Sequence, residues 1–325
     1  MISTSSRAVS GADNRTPVAL RRFSKVIAFS TLFLVFAGAM VTSTGSGLAV
    51  PDWPLSFGML MPPMVGGIFY EHGHRMIAAT VGFLTLIQAF WLQLREPKPF
   101  LRRLGWIALG AVILQGALGG MTVLLLLPPA ISIAHASLAE IFFCLNVSIA
   151  YFASRWYHDI RTHEKGKAPT GMTTALVTLV YAQIFIGAVM RHLGAGLAIP
   201  DFPLSFGRWI PPFDSAPVMI NFAHRAGGLA VLIFMIVLTV RLRRFERNHP
   251  LRIVASFLAI VVPAQILLGA YTIWSAKQPH VTSLHVMNGA LTLALAVVLW
   301  LTSHTIAWKS GTKPAAAFAG SEVVA

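Results

Sequence analysis

Four histidines of this sequence could form two metal sites of the same kind. His74 is matched by His224 and His135 by His285, each 150 residues further on. All four lie near the start of an apolar stretch that could cross a membrane, so they are expected at a similar depth in the outer half of the bilayer. Two imidazoles that face each other in a helix bundle are what a six-coordinate heme iron requires as axial ligands. The spacing therefore predicts one bis-histidine heme site from His74 and His135 and another from His224 and His285.

Other interpretations of these histidines remain open from the residues alone. A single histidine near a helix end often serves only as a cap or a hydrogen-bonding group, and it is the duplication that favours ligation. Zinc is less favoured, because a structural zinc site needs four close ligands, including cysteines or carboxylates that are not found here. Arg75 and Arg225 each follow a matched histidine, so they are candidates for contacts with heme propionates or for helix anchors at the membrane interface.

One acidic residue distinguishes the two halves. Glu71 precedes His74 by three residues on the same helical face, whereas the second half has Asn221 at that position. A carboxylate beside only one pair suggests that the first site performs proton chemistry and that the second only holds a cofactor. An acid placed at the start of a helix, where the helix dipole favours it, is an equally good explanation at this stage.

These residues recur because the chain is a tandem repeat. Gly47–Gly58 returns as Gly196–Gly207 with ten of twelve positions identical, and Gln115 and Gly119 return 150 residues later as Gln265 and Gly269. The repeated segment is rich in glycine and proline, which favours fixed turns over a flexible linker. We expect each copy to form a lid on the outer surface.

The amino-acid composition indicates an integral membrane protein. The chain of 325 residues is 56% hydrophobic and only 11% charged, whereas soluble domains have about 25% charged residues. Eight apolar stretches have the length of a spanning helix, which is about 20 residues. The predicted fold is therefore an all-α polytopic membrane protein, in which two tandem four-helix bundles are related by a pseudo-twofold axis along the membrane normal. The predicted spans are 23–43, 74–94, 104–126, 131–153, 172–191, 217–240, 252–275 and 281–303.

The predicted organisation follows from these spans. It comprises a disordered cytoplasmic arm (1–22), an N-terminal four-helix bundle (23–155), a cytoplasmic linker (156–171), a C-terminal four-helix bundle (172–305) and a cytoplasmic tail (306–325). Twenty of the 25 lysines and arginines fall in the arm, the tail and the loops that follow every second span. Positive charge collects on the cytoplasmic side of membrane proteins, so both termini are predicted to be cytoplasmic. This distribution accounts for the net charge of +14 without a nucleic-acid partner.

The N-terminal arm also bears on localisation. Residues 1–22 lack the apolar core and cleavage site of a signal peptide. We therefore expect a bacterial inner membrane, with the mitochondrial inner membrane as the minor alternative. The single cysteine, Cys144, excludes an intrachain disulfide.

Taken together, several motifs resemble one known family. They are Thr44–Leu48 running into Pro51–Pro54, Glu71-His-Gly-His-Arg75, Gln115–Thr122 and Pro128–His135. The sequence is similar to heme A synthase over nearly all of residues 23–305. The resemblance implies that the protein converts heme O to heme A, the cytochrome oxidase cofactor, by oxidising a methyl group to a formyl group through successive hydroxylations.

The resemblance also implies roles for individual residues. His74 and His135 would address the substrate heme O, His224 and His285 would ligate a resident heme B, and Glu71 would be catalytic. Heme O synthase and assembly factors of cytochrome oxidase would be partners, and a homo-oligomer is a further expectation. Many members carry a cysteine pair in the first outer loop, whereas this chain has Val50 and Ser56 in that neighbourhood. Any thiol-dependent step is therefore in doubt here.

Two other functions compete with this reading. One is a diheme electron-transfer cytochrome, in which both hemes stay bound and neither is changed. The other is a transporter, since transporters often consist of duplicated bundles. A transporter is less favoured because the matched histidines lie toward one face rather than at the midplane.

Overall fold

The computed structural model describes residues 15–160 and 168–309. Within these ranges eight helices are long and apolar enough to cross a membrane, which confirms the predicted all-α membrane fold. A short additional helix, α5, links the two halves. The helices are α1 (Val18–Ser43), α2 (Gly66–Arg95), α3 (Pro99–Leu124), α4 (Pro129–Ala153), α5 (Arg155–Asp159), α6 (Thr170–His192), α7 (Ala216–Leu242), α8 (Pro250–Trp274) and α9 (Pro279–Lys309).

Local sequence explains where the long helices begin. Proline is the first residue of α3, α4 and α8, at a position where its missing N–H has no helical partner to lose. Between their ends these helices are apolar on most sides, as expected for segments surrounded by lipid and by one another. A helix satisfies its backbone polar groups internally, which is the requirement for crossing hydrocarbon.

The spanning helices form two closed bundles of four. In the first bundle α1 packs on α2, α2 on α3, α3 on α4, and α4 returns to α1. The second bundle repeats this ring with α6, α7, α8 and α9. Between the bundles, α1 packs on α9, and α6, the equivalent of α1, packs on α4, the equivalent of α9. Equivalent helices of the two halves thus make reciprocal contacts, and the pseudo-twofold axis stays a prediction.

The two bundles are joined through α4 and α9, with a polar contact at the histidine end. Phe143 of α4 lies in one buried cluster with Ala290 and Ala294 of α9. At the C-terminal end of α6, the Nη2 atom of Arg191 donates to the carbonyl oxygen of Ala39 and to Oγ of Ser43, both at 2.8 Å. A side chain of the second bundle is thereby bonded to α1 of the first.

Helix boundaries differ from the predicted spans at both ends of the chain. Helix α1 begins at Val18, inside the segment predicted as a disordered arm, because Arg21 and Arg22 lower the hydropathy of a turn that is nevertheless helical. Helix α9 likewise extends to Lys309, beyond the predicted start of the tail. The remainder of the arm (1–14), part of the linker (161–167) and most of the tail (310–325) lie outside the described residues.

The second helix shows the largest difference, because α2 begins at Gly66 rather than near residue 74. Its first turns contain Glu71 and His72, and these polar residues hide the helix from a hydropathy pattern. Both side chains are buried and bonded to the preceding loop, so the helix extends below the loop.

Candidate functional site

The four histidines occupy equivalent places in their helices. His74 is the ninth residue of α2 and His224 the ninth of α7, while His135 and His285 are the seventh residues of α4 and α9. Each lies about two turns from the end of its helix that carries the repeated loop or its partner turn. All four rings are half-buried. The four histidines therefore lie at similar distances from their helix ends, and His74 lies deeper in its helix than the first turn that was expected.

Each histidine ring rests on a glycine of a neighbouring helix. A Cβ atom added at any of these glycines would lie only 2.8–3.1 Å from the Cε1 atom of the ring. That is closer than the ordinary carbon–carbon contact of about 3.5–4.0 Å. Only glycine therefore lets the imidazole approach the helix backbone at this position. The four pairs are Gly38 of α1 with His74, Gly119 of α3 with His135, Gly187 of α6 with His224, and Gly269 of α8 with His285.

The second pair has the separation of two axial ligands. The ring centroids of His224 and His285 are 6.3 Å apart, with an angle of 77° between the ring planes. A metal ion lies about 2 Å from an imidazole nitrogen, which itself lies about 1.1 Å from the ring centroid, so one ion between two rings separates the centroids by roughly 6 Å. The separation of this pair thus fits an iron bound between two imidazoles.

Each histidine pair could contribute two ligands to a metal. In the part of the chain that the structure describes, no group of three or more His, Cys, Asp and Glu side chains is placed to hold a metal ion. A porphyrin occupies four of the six positions around iron, so two histidines are the number of protein ligands that such a group would need.

Glutamines and a backbone carbonyl contact the rings of His224 and His285, and a further glutamine contacts the backbone of His135. The Nδ1 atom of His285 donates to the carbonyl oxygen of Gln265 at 3.1 Å, and the Gln265 amide nitrogen lies 3.5 Å from Nε2 of the same ring. The Gln183 amide contacts both Nδ1 and the carbonyl oxygen of His224, at 3.0 and 2.6 Å. Gln115 donates to the carbonyl oxygen of His135 at 2.9 Å.

His74 lacks such an orienting group. The register of Gly38 with Gly187 makes Leu34 the equivalent of Gln183, and Leu34 offers no hydrogen bond. The Nδ1 atoms of His74 and His135 are both buried without a hydrogen-bond partner. The imidazoles of the first site therefore make fewer hydrogen bonds than those of the second, although both sites are built on the same glycine contact.

Glu71 ties the helix to the outer loop beside the first site. Its side chain is buried, its Oε2 atom accepts from the Val50 amide at 2.8 Å, and its Oε1 atom forms an ion pair with Arg75 at 2.6 Å. Glu71 is the sixth residue of α2 and lies beyond the first turn, which contains no acid. The helix-dipole explanation is therefore wrong. Its equivalent Asn221 instead donates to carbonyl oxygens of the second loop. The helix side chain therefore accepts a hydrogen bond from the loop in the first half and donates hydrogen bonds to the loop in the second.

Arg75 and Arg225 hold the outer loops to the helices. Nη1 of Arg75 donates to the carbonyl oxygens of Asp52 and Leu55 at 2.7 and 2.9 Å. Arg225 makes the equivalent bonds in the second half, to Asp201 and Leu204 at 2.7 and 3.0 Å. These bonds give both arginines an anchoring role, and the contacts with heme propionates stay a prediction.

The loop itself is a compact structure with its own caps. The carboxylate of Asp52 accepts from the amides of Phe57 and Gly58 at 2.6 and 2.8 Å, and Asp201 repeats this arrangement in the second loop. The Gly58 amide first, and then that of Phe57, holds the pKa of Asp52 below its ordinary value. The indole of Trp53 lies against Gly120 of α3, where a Cβ would meet it at 2.8 Å. The loop is therefore seated on the helices as the predicted lid.

His72 was not recognised from the sequence as part of this region. It has no matched histidine in the second half, and its side chain is only 6% exposed. Its Nδ1 atom lies 2.8 Å from Oγ of Ser56 in the loop, and its Nε2 atom is buried without a partner. The second half has Phe222 at this position, so this polar contact belongs to the first site alone.

Other residues of the sites were also missed. One of them, Gly38, lies on α1, and two, Gly187 and Gln183, lie on α6. Neither helix carries a candidate heme ligand, so these residues were not predicted. The sequence did contain a signal, because Phe36-Ala-Gly-Ala39 aligns with Phe185-Ile-Gly-Ala188 once the loop copies are superposed.

The fold and the paired histidines define a polytopic membrane protein with two equivalent histidine pairs, one in each four-helix bundle. The sequence profile of the family described as cytochrome oxidase assembly protein, COX15-CtaA, matches residues 64–297. The match covers most of the chain, including all four histidines, and the chain belongs to this family.

Individual relatives carry a more specific description. The heme A synthase of Symbiobacterium thermophilum is 32% identical over 260 residues, which are 78% of this chain and 85% of that protein. The heme A synthase of Halalkalibacterium halodurans is 28% identical over 281 residues, or 82% and 91% of the two chains. That of Rickettsia felis is 27% identical over 319 residues, or 82% and 92%. The similarity extends over both bundles.

Proposed function

We propose that this protein is a heme A synthase, which oxidises a methyl group of heme O to a formyl group to give heme A for cytochrome oxidase. The observation that carries the proposal is the similarity to proteins of that name over most of both chains. The two sites support it, because a heme-modifying enzyme with a resident heme needs two places where heme iron can bind. Their construction from the same glycine and histidine positions meets that need.

We assign the substrate heme O to His74 and His135, and a resident heme B to His224 and His285. The difference in ring orientation supports this division. A substrate must enter and leave, so a site in which neither histidine has a hydrogen bond at Nδ1 suits it. A permanent cofactor is better served by rings held through Gln183 and Gln265.

The stoichiometry of the reaction defines what the residues must do. With oxygen taken from water, R–CH3 + H2O gives R–CHO + 4 H⁺ + 4 e⁻, so protons must leave the reacting methyl group. Glu71 lies one helical turn from His74 and is the carboxylate beside the first site that could accept them or orient water. A bound heme at the second site would supply one-electron transfer toward an acceptor in the membrane. The loop above Glu71, anchored by Arg75, limits the access of bulk water.

The same proposal includes the setting of the enzyme. The basic residues favour cytoplasmic termini, so that both lids face the outside of a bacterial inner membrane. Heme O synthase would supply the substrate, assembly factors of cytochrome oxidase would take up the product, and a homo-oligomer is part of this proposal.

One observation favours a second function. Because the two histidine pairs are built alike, both could hold permanent hemes, and the protein would then be a diheme electron-transfer cytochrome. In that case, two differences between equivalent positions of the halves would have no functional explanation. These are Glu71 against Asn221, and Leu34 against Gln183.

Identification of the bound hemes separates the two functions. The full-length protein is purified from cells with and without a heme O supply, and its hemes are extracted and identified. We expect one equivalent of heme B in both preparations, and heme O or heme A in smaller amounts only where heme O is supplied. Two equivalents of a single heme type, independent of that supply, would establish the cytochrome and refute the enzyme.

A further inference from the structure

A polar cleft lies between α7 and α8 at the end of the second bundle opposite to the histidines. It has a volume of about 250 Å³. Its lining includes Thr239 of α7, Arg243 directly after the end of α7, and Arg252 and Ser256 of α8. Nineteen residues separate His224 from Arg243, which is about 28 Å along a helix at 1.5 Å per residue. The cleft is thus remote from both heme sites.

The lining combines positive charge with small side chains. Arg243 is exposed, and Arg252 is half-buried with its Nη1 atom donating to the carbonyl oxygen of Phe245 at 3.0 Å. The hydroxyl of Thr239 is buried and has no hydrogen-bond partner. Ala255 and Ala259 continue the cleft along α8 toward the middle of the membrane. The cleft therefore offers cationic donors at the membrane surface and an apolar groove below them.

The tandem repeat provides an internal comparison. At the positions of Ser256 and Ala259, the first bundle has Trp106 and Leu109, and at the position of Arg243 it has Gln93. The indole nitrogen of Trp106 donates to Oε1 of Gln93 at 3.1 Å, and its ring packs edge-on against Phe90. Arg102 is the equivalent of Arg252, so the first bundle keeps one of the two arginines but has larger side chains, bonded to each other, at the positions of Arg243 and Ser256.

We propose that this cleft is a binding site for an anionic phospholipid. The phosphate lies between Arg243 and Arg252, within reach of the Thr239 and Ser256 hydroxyls, and one acyl chain follows Ala255 and Ala259. Arginine pairs well with phosphate oxygens, and basic pockets between spanning helices are suited to anionic headgroups. At about 250 Å³ the cleft is smaller than the roughly 300–1,000 Å³ of pockets that enclose a small molecule, so it holds a headgroup and not a whole lipid.

Lipid binding is measured on the full-length protein in neutral detergent. Phosphatidylglycerol is titrated in, with phosphatidylcholine and inorganic phosphate as parallel probes, and bound copies are counted by native mass spectrometry. We expect one phosphatidylglycerol to bind more tightly than phosphatidylcholine, and inorganic phosphate to compete weakly because it lacks an acyl chain. Equal binding of the two lipids would overturn the proposal, and so would displacement of the lipid by inorganic phosphate at equal concentration.

Variants taken from the first bundle locate the binding. Arg243→Gln should weaken phosphatidylglycerol binding by about fivefold, the effect of one basic residue at a charged membrane surface. Arg243→Gln combined with Ser256→Trp should abolish the preference for the anionic lipid. Arg247→Gln, an exposed residue outside the cleft, is the charge-matched control and should have little effect. If Arg247→Gln weakens binding as much as Arg243→Gln does, the binding is diffuse surface charge and the site is refuted. The single Arg243 variant carries the test if the tryptophan variant fails to fold.

Discussion

The glycine beneath His224 gives the sharpest test of the proposed heme ligation. In Gly187→Ala the new Cβ would lie 2.8 Å from Cε1 of His224. Since ordinary carbon contacts are about 3.5–4.0 Å, the ring would have to retreat by roughly 0.7–1.2 Å. Gln183 contacts both Nδ1 and the backbone carbonyl of the same histidine and resists that movement. Overpacking of this kind costs about 1–3 kcal/mol.

A displacement of this size is roughly a third to three-fifths of a metal–nitrogen bond of about 2 Å. We therefore expect Gly187→Ala to weaken heme binding at the second site by about 10-fold to 100-fold and to convert part of the low-spin absorption to high-spin. The measurement is a hemin titration of the apoprotein, together with the visible spectrum of the protein as purified.

The same helix provides a matched control. Gly171 also lies on α6, and a Cβ there would have no neighbour within 4 Å. Gly171→Ala should leave the heme spectrum unchanged and should not destabilise the protein, since alanine is favoured over glycine in a helix by about 0.5–1 kcal/mol. A wild-type spectrum and affinity in Gly187→Ala, or an equal loss in Gly171→Ala, would refute the reasoning.

Three further predictions concern individual side chains. His285→Ala should remove the low-spin signal of the resident heme, and a full low-spin spectrum in this variant would contradict the assignment of the second site. Glu71→Gln should leave that spectrum intact while heme A formation per folded molecule falls by about 10²–10⁴-fold, and wild-type rates would exclude proton transfer by Glu71. The cap of the first loop should persist at neutral pH, because the pKa of Asp52 is held below its ordinary 3.8. Its stabilisation is complete above that value and is lost as the pH falls through the lower pKa of the folded state, which hydrogen exchange at the Phe57 and Gly58 amides can follow.

Much of the architecture could be predicted because it depends on sequence patterns that occur in both halves of the chain. The apolar stretches identified the eight spans, and the 150-residue register identified the four histidines. The predicted helix boundaries were wrong where a buried polar side chain forms hydrogen bonds with another segment of the chain. Glu71 and His72 lie inside α2, yet their hydrogen bonds to Val50 and Ser56 cannot be read from hydropathy.

The supporting residues of the sites were harder to find for a related reason. A glycine in a spanning helix has several uses, and nothing local shows that Gly38 or Gly187 lies beneath an imidazole of another helix. The role of Arg75 was underestimated because its partners are backbone carbonyl oxygens. Every residue type has a backbone carbonyl oxygen, so the sequence does not show which of these oxygens accepts a bond from an arginine.

The bond from Arg191 to α1 has a consequence for the order in which the protein is made. The ribosome completes the first four spanning helices before α6 exists, so the Ala39 carbonyl and Ser43 must wait for a donor that is synthesised about 150 residues later. The final helix, α9, packs on α6 and α8 of its own bundle and on α1 and α4 of the first, so it completes the second bundle and much of the contact between the two. A nascent chain halted before α9 would therefore have its first four-helix ring but an open second bundle that lacks His285. Stable binding of heme at the second site should therefore require the complete polypeptide.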